Sequence, residues 1–344
     1  TRAVIERVRE AADQGVAVRY IANSGDGEPL LHPDFAARMD LYGELLRTWD
    51  TNRRPRPEIS VVTNGLRLAD DGMLEAISRN ELMLFVSFPT AQPDHYGEIM
   101  MLDPDRGQAL LDKVVPGVEK ATRLAASGAL PHLGFHISPP DREHVRSDFP
   151  ETVAFLARLA ARNGLDTLKL VMFPATSNRT GLVRHLSGGV DLFNDFFRRF
   201  HGQVVEGVRV ELVHSFKRFY PSTWDLVDLM RAFDAPCIWN GNLFITPDGT
   251  SCCCNDQTVR APMGSIATHS LAALMAEKES RLSSAVCRGC DQAPARMKGP
   301  PLVQLYRLLA VAKTWWSRRR RRAPGPRPDG IGQAPAGAPT GALS

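Results

Sequence analysis

The residues with the clearest capacity for chemistry are six cysteines, which all fall in one segment of this 344-residue chain. The last two form a C-x-x-C pair, whose spacing lets two thiolates reach one metal centre from a single turn. Side chains alternate faces along a strand, so Cys252 and Cys254 share one face and Cys253 points the other way. Either Cys252 or Cys254 joins Cys237 and the C-x-x-C pair in a predicted four-thiolate site. The six positions are Cys237, Cys252, Cys253, Cys254, Cys287 and Cys290.

The metal that such a site would hold is not fixed by the residues alone. Four thiolates suit zinc and an iron–sulfur cluster equally well. A disulfide framework requires an oxidising compartment, and no other feature of the sequence indicates one. Buried free cysteines, which behave as small apolar residues, are the simplest alternative. Chance clustering of every cysteine in one segment is improbable, so a metal centre is favoured and its identity stays open at this point.

A second distinctive segment is the glycine-rich loop SGDGEPLLHPDF, residues 24–35. It follows a predicted strand, and ligand sites in α/β sheets lie at the carboxyl ends of the strands. Gly25 and Gly27 let backbone groups approach a ligand closely, while Glu28 offers a carboxylate and a carbonyl that can hold an ammonium group. As a bare pattern, the loop also fits a tight βα connection that binds no ligand.

The elements that must position these residues alternate between strands and helices. Nearly all-apolar strands separated by helices are typical of a parallel sheet covered on both faces, either open and doubly wound or barrel-like. Residues 207–213 are a further candidate strand, and residues 242–254 predict a β-hairpin with a Pro-Asp-Gly turn. The main predicted strands are 16–22, 58–64, 82–88, 132–138 and 167–173, and the predicted helices are 3–14, 34–49, 69–80, 108–127, 151–164 and 221–233.

In this context the loop resembles that of the radical S-adenosylmethionine (SAM) superfamily. GDGEPLLHP, residues 25–33, is similar to the family's Gly-Gly-Glu-Pro loop, which holds the amino group of SAM, although Asp26 stands where Gly is commoner. VVTNG at 61–65 and VSF at 86–88 resemble the ends of the next two strands. The cofactor-binding residues that the resemblance implies are Gly25, Asp26, Gly27, Glu28, Asn64 and Ser87.

The cysteine segment resembles the twitch module, a shortened SPASM domain, of the same superfamily. The order of a cysteine, eleven residues, Gly249, four residues, Cys254 and a later C-x-x-C pair is that of the module. The resemblance selects Cys254 over Cys252 and implies an auxiliary 4Fe–4S cluster. Ligation by four cysteines leaves no open iron, which favours a role in electron transfer. The implied ligands are Cys237, Cys254, Cys287 and Cys290.

The resemblance implies an α/β fold: a partial (β/α)6 TIM-like barrel that lacks its first strand, followed by a small twitch/SPASM domain with a β-hairpin. The family's C-x-x-x-C-x-x-C loop, which binds the 4Fe–4S cluster that ligates SAM, is missing, because no cysteine precedes Cys237. We therefore expect either a fragment of a longer protein or a degenerate family member. The expected parts are the partial barrel (1–205), the auxiliary iron–sulfur domain (206–295), an amphipathic helix (296–317) and a disordered tail (318–344).

The net charge of +4 belongs to the tail and not to the body of the protein. Residues 318–344 contain six arginines and one aspartate, which leaves 36 basic and 37 acidic groups in the rest of the chain. The tail is either a solubilising segment or a contact for an anionic surface. No uninterrupted apolar run reaches the roughly 18 residues of a transmembrane span, and we expect a cytoplasmic protein.

The leading functional prediction is a radical SAM enzyme, catalytically competent only at full length, that abstracts hydrogen through a 5′-deoxyadenosyl radical. Its substrate would be a peptide or a small molecule, and an external donor would supply electrons. The alternatives are a non-catalytic family member that binds a partner and a zinc-stabilised α/β protein. His136, Lys169 and Arg179 are weak candidates for the substrate side; a structural role is simpler for each, so no catalytic residue is assigned.

Overall fold

The structure is a computed structural model. It describes residues 1–24, 27–52, 54–101, 103–137, 142–172, 196–214, 242–253 and 262–281. The helices are α1 (Arg2–Asp13), α2 (Phe35–Arg47), α3 (Met73–Ser78), α4 (Pro93–Met101), α5 (Gly107–Ala126), α6 (Arg142–Arg162) and α7 (Leu271–Arg281). The strands are β1 (Tyr20–Asn23), β2 (Glu58–Thr63), β3 (Met83–Ser87), β4 (Leu133–Ile137), β5 (Thr167–Met172), β6 (Val204–Val205), β7 (Val208–His214), β8 (Phe244–Ile245), β9 (Thr250–Cys252) and β10 (Pro262–Ser265).

The main sheet has the strand order β1-β2-β3-β4-β5-β7-β6. Strands β1 to β5 and β7 are parallel, and β6 pairs with β7 in the antiparallel direction. A doubly wound sheet reverses its order at a switch point, whereas each parallel strand here lies beside the next one along the chain. This singly wound order is that of a barrel-like sheet, the second of the two arrangements that the sequence allows.

The described helices α2 to α6 pack on one face of the main sheet. Strand residues of the main hydrophobic core fall on alternate positions, as the pleat requires; they include Ile59, Val61, Leu84, Val86, Phe135, Leu168, Leu170, Val210 and Leu212. The intervening residues form what we call the second face, and most of them are only partly buried; they include Val62, Asn64, Phe85, Ser87, His136, Lys169 and Glu211. Among the described residues the second face is less buried than the face on which the helices pack, and apolar residues such as Val62 and Phe85 lie on it.

Most strands lie where the sequence predicts them, but several boundaries differ. β1 begins at Tyr20, later than expected, and α6 begins at Arg142 and continues through Pro150. β7 pairs with β5, so the main sheet runs beyond residue 205, the position at which the sequence suggests a domain boundary. The expected helix at 221–233 and the segments 296–317 and 318–344 lie outside the described residues. None of the described helices is long and apolar enough to cross a membrane.

A second, antiparallel sheet has the order β10-β9-β8. The expected hairpin is present as β8 and β9, and Gly249 at its turn has a φ of 88°, a value that favours glycine. Helix α7 packs on this sheet through a small core of Met263, Ile266 and Leu274, which side chains of α1 help to cover. We call residues 242–253 and 262–281 the C-terminal module.

Candidate functional site

The glycine-rich loop places Glu28 at the carboxyl end of β1. Glu28 precedes a 3₁₀ turn, Pro29–Leu31, and its Oε1 accepts a hydrogen bond of 3.1 Å from the backbone N–H of Leu30. The proline fixes the backbone at the first position of this turn, where no N–H is needed. The local sequence Glu-Pro-Leu therefore sets the direction of the carboxylate. The predicted residues Gly25 and Asp26 lie outside the described residues.

Thr63, the last residue of β2, and Asn64, which follows it, also donate hydrogen bonds to the Glu28 carboxylate. Thr63 Oγ1 donates to Oε1 at 2.6 Å, and the backbone N–H of Asn64 donates to Oε2 at 2.7 Å. These contacts join the loop after β1 to the end of the neighbouring strand. Since hydrogen bonds to an ionised group are short and strong, the carboxylate has one defined orientation at the carboxyl edge of the sheet.

The Glu28 carboxylate suits a cationic ligand. A carboxylate has about four acceptor positions, and three donors from described residues occupy three of them. The remaining acceptor capacity can receive an ammonium N–H. Gly27, which precedes it, is exposed, and a Cβ at that position would meet no atom of the described residues within 4 Å. A free acceptor position on a carboxylate is what an ammonium group such as that of SAM requires.

Asn64 and Ser87 lie at the same edge of the sheet as Glu28. Asn64 Oδ1 accepts from the backbone N–H of Leu66 at 3.0 Å, which shapes the turn after β2. Ser87 is the last residue of β3 and pairs with His136 of β4. Both Asn64 and Ser87 are half-buried on the second face. The structure thus brings three sequence-predicted residues, Glu28, Asn64 and Ser87, to the ends of three adjacent strands.

His136 and Lys169 both lie on the second face. The His136 ring stacks on Phe85 with 5.0 Å between ring centroids, and burial lowers its pKa to about 4. The imidazole is therefore neutral near pH 7, able to donate one hydrogen bond and accept one. Lys169 lies beside Glu211 of β7 in the register of the sheet. This face combines an aromatic surface with opposite charges, whereas the third candidate, Arg179, lies outside the described residues.

A buried carboxylate near the end of β3 was not found by sequence reasoning. Asp148 of α6 accepts hydrogen bonds from His95 Nδ1 at 2.6 Å and from Thr90 Oγ1 at 2.8 Å, both on Oδ2. Ser147 Oγ donates to its other oxygen at 3.0 Å. The cluster joins the loop after β3 and helix α4 to α6. No spacing in the sequence connects these residues, because the contacts cross between two different βα units.

The cysteines of the C-terminal module are described only in part. Cys252 is buried and pairs with Phe244 across the hairpin, while Cys253 packs against the small core of Met263, Ile266 and Leu274. The two cysteines thus have different surroundings, and strand alternation does not extend to Cys253, which follows the end of β9. Within the described ranges, no group of three or more His, Cys, Asp or Glu residues is placed to hold a metal ion. The four predicted ligands, Cys237, Cys254, Cys287 and Cys290, lie outside those ranges.

The solved structures that share this fold include two of SuiB from Streptococcus suis, one bound to S-adenosylmethionine and one bound to the precursor peptide SuiA. The TM-score is 0.51 for each, at 12% and 13% sequence identity. The matched region covers 85% of this chain but only 63% and 62% of the SuiB chains, so this chain spans less than two thirds of their length. The likeness shows the fold, which is consistent with the radical SAM-like fold expected from the motifs. No family model matches the chain, and no curated protein matches it significantly.

Proposed function

We propose that this chain is the SAM-binding part of a radical SAM enzyme that modifies a peptide. The observation that carries the proposal is the Glu28 carboxylate, which Thr63, Asn64 and Leu30 hold at the carboxyl edge of a singly wound parallel sheet. In this proposal Glu28 binds the amino group of SAM, and Asn64 and Ser87 border the rest of the cofactor. When bound and reduced by one electron at a 4Fe–4S cluster, SAM supplies the hydrogen-abstracting radical of the superfamily.

The second face is the proposed floor of the substrate site. Its residue Asn64 donates a backbone hydrogen bond to Glu28 at the carboxyl edge, and its half-buried side chains leave surface for a ligand. His136 stays neutral at physiological pH, so it can orient a substrate amide without adding a charge. A peptide is the preferred substrate class because SuiB, which shares the fold, has been crystallised with its precursor peptide. Orientation and exclusion of water are what the protein itself contributes to such chemistry.

The C-terminal module is proposed to carry an auxiliary 4Fe–4S cluster on Cys237, Cys254, Cys287 and Cys290. The hairpin that precedes Cys254 has the expected position, which supports the placement of Cys254 close to the end of β9. A cluster with four cysteine ligands would transfer electrons, with an external protein donor as the partner.

The SAM site is tested by equilibrium dialysis of the purified chain with labelled SAM. Glu28→Gln keeps an acceptor for Thr63 but removes the negative charge, so we expect SAM affinity to fall about 10- to 100-fold, the equivalent of about 1.5–3 kcal/mol for a charge-assisted hydrogen bond. Glu75→Gln is the matched control, because Glu75 pairs with Lys120 on the surface. Absence of SAM binding by the wild-type chain, or equal binding by Glu28→Gln, refutes the site.

The auxiliary cluster is tested by anaerobic purification and analysis of iron, sulfide and zinc. We expect about four irons per chain, lost in Cys237→Ala and Cys290→Ala. Cys253→Ala is the matched control and should retain the iron, because Cys253 packs in the small apolar core. Stoichiometric zinc without sulfide would instead establish the zinc-stabilised alternative.

A further inference from the structure

Thr63 is buried where no ligand can reach it, yet it contacts the group that would bind one. It is 2% exposed and lies on the helix-packed face of β2, in line with Ile59 and Val61. Its hydroxyl donates to Glu28 Oε1 at 2.6 Å. A contact between Thr63 and a ligand at the sheet edge is therefore excluded by burial, and an influence of Thr63 on binding passes through the groups that its hydroxyl contacts, of which the Glu28 carboxylate is the one suited to a ligand.

The direction of this hydrogen bond is fixed by a second donor. The backbone N–H of Gly65 donates to Thr63 Oγ1 at 3.0 Å, so that oxygen already acts as an acceptor. The hydroxyl has one proton, and the carboxylate of Glu28 can only accept it. Gly65 has a φ of 82°, and a Cβ there would lie 3.0 Å from a methyl of Val114. The turn that delivers the second donor therefore requires glycine.

The three donors to Glu28 differ in what they restrain. Leu30 belongs to the same loop and would move with it, and the Asn64 N–H holds only Oε2. Thr63 is the one side chain among the described donors, and it ties Oε1 to the rigid strand β2. Loss of its hydroxyl would leave Oε1 without a fixed point on the sheet and would permit rotation of the carboxylate.

We propose that Thr63 is a positioning residue that fixes the Glu28 carboxylate for the ammonium group of SAM. The inference rests on the proposed function, since it assigns a role to Thr63 within the same site. Because the Thr63 oxygen accepts from the Gly65 N–H, the Thr63 hydroxyl proton is donated to Glu28. This hydrogen bond orients the Glu28 carboxylate so that its remaining acceptor position faces the ligand. The binding energy of the ammonium depends on this direction because a hydrogen bond weakens steeply as it departs from linearity.

The test compares two ligands on three variants by equilibrium dialysis. SAM has the ammonium group, and 5′-methylthioadenosine has the same nucleoside and sulfur but no amino-acid part. In Thr63→Val, which keeps the shape and removes the hydroxyl, we expect SAM affinity to fall about 10-fold, in line with the value of one hydrogen bond to a charged group, while methylthioadenosine affinity stays unchanged. Thr63→Ser should restore SAM affinity.

Thr90→Val is the matched control. Thr90 is also 2% exposed and also donates to a carboxylate, that of Asp148 at 2.8 Å. It should lower stability about as much as Thr63→Val and leave SAM affinity unchanged. If the wild-type chain binds SAM but Thr63→Val binds it equally well, only the role of Thr63 is refuted. Equal losses for both ligands, or failure of Thr63→Ser to restore binding, also refute it. If the wild-type chain does not bind SAM, the proposed function itself fails.

Discussion

Asp148 provides the most direct test of the packing between α4 and α6. Its side chain is 8% exposed and accepts hydrogen bonds from His95, Thr90 and Ser147. Thr90 is 2% exposed, so water cannot replace the acceptor that the Thr90 hydroxyl loses in Asp148→Ala. The unsatisfied hydroxyl costs about 1–3 kcal/mol. The His95 side chain is 31% exposed and Ser147 is exposed, so water takes over most of their bonds. We expect Asp148→Ala to lower the free energy of unfolding by about 2–4 kcal/mol.

The asparagine variant separates the hydrogen bonds from the charge. In Asp148→Asn the amide oxygen can still accept from Thr90 and His95, and the amide N–H₂ can donate to Ser147, so the loss should be about 1 kcal/mol. The assay is urea unfolding followed by circular dichroism, with the free energy taken from the midpoint and slope. Asp70→Ala is the control, because its pair with Arg67 is exposed and should contribute less than about 1 kcal/mol. The reasoning is refuted if Asp148→Ala matches the wild type, or if the asparagine variant loses as much as the alanine variant.

Three further outcomes are expected. In Gly43→Ala the new Cβ would lie 1.8 Å from Asn80 Oδ1, so the Asn80 side chain must leave its hydrogen bonds to Asp40 and Ala76 or the backbone must shift, and the melting temperature should fall by several degrees, measured by circular dichroism. The pKa of His136 is lowered to about 4 from 6.5. As the pH falls, this histidine is therefore protonated in the unfolded chain before it is protonated in the folded chain. The free energy of unfolding should therefore decrease from about pH 6.5 to about pH 4, and the decrease should be smaller in His136→Gln; equal slopes would contradict the assignment. Deletion of residues 318–344 should leave SAM affinity and iron content unchanged, since these residues hold the excess positive charge and none of the predicted ligands.

The sequence predicts strands better than the short elements between them. The β2 and β3 runs are rich in apolar and β-branched residues, and both strands lie within one residue of the expected ranges. Helix α4 was missed because Gly97 reads as a helix breaker. In the structure Gly97 serves close packing, since a Cβ there would lie 2.4 Å from the carbonyl oxygen of Asp103. β10 was missed for a similar reason: Pro262 and Gly264 flank an irregular register that no alternation in the sequence indicates.

The candidate site was predictable only where a motif names its residues. Glu28, Asn64 and Ser87 follow the strand ends, so their convergence at one edge follows from parallel pairing. Thr63 was not predicted, because its function as a donor depends on the distance to a loop that precedes it by 35 positions, and this distance exists only in the folded sheet. The lower burial of the second face in the described part of the sheet also could not be predicted, because an apolar residue on this face is indistinguishable in sequence from one in the core.

The contact between α1 and the C-terminal module has a consequence for the order of events during synthesis. Arg7 Nε and Nη2 donate to the backbone carbonyls of Ile266 and Ala267 at 3.1 and 3.0 Å, and Val4 packs against the small core of the module. Helix α1 thus receives part of its cover from residues made more than two hundred positions later. Until then the ribosome-bound chain exposes this surface of α1, so α1 is a place where a chaperone can bind during translation. After a proteolytic cut between α1 and the C-terminal module, these contacts would hold the two pieces together without a covalent link.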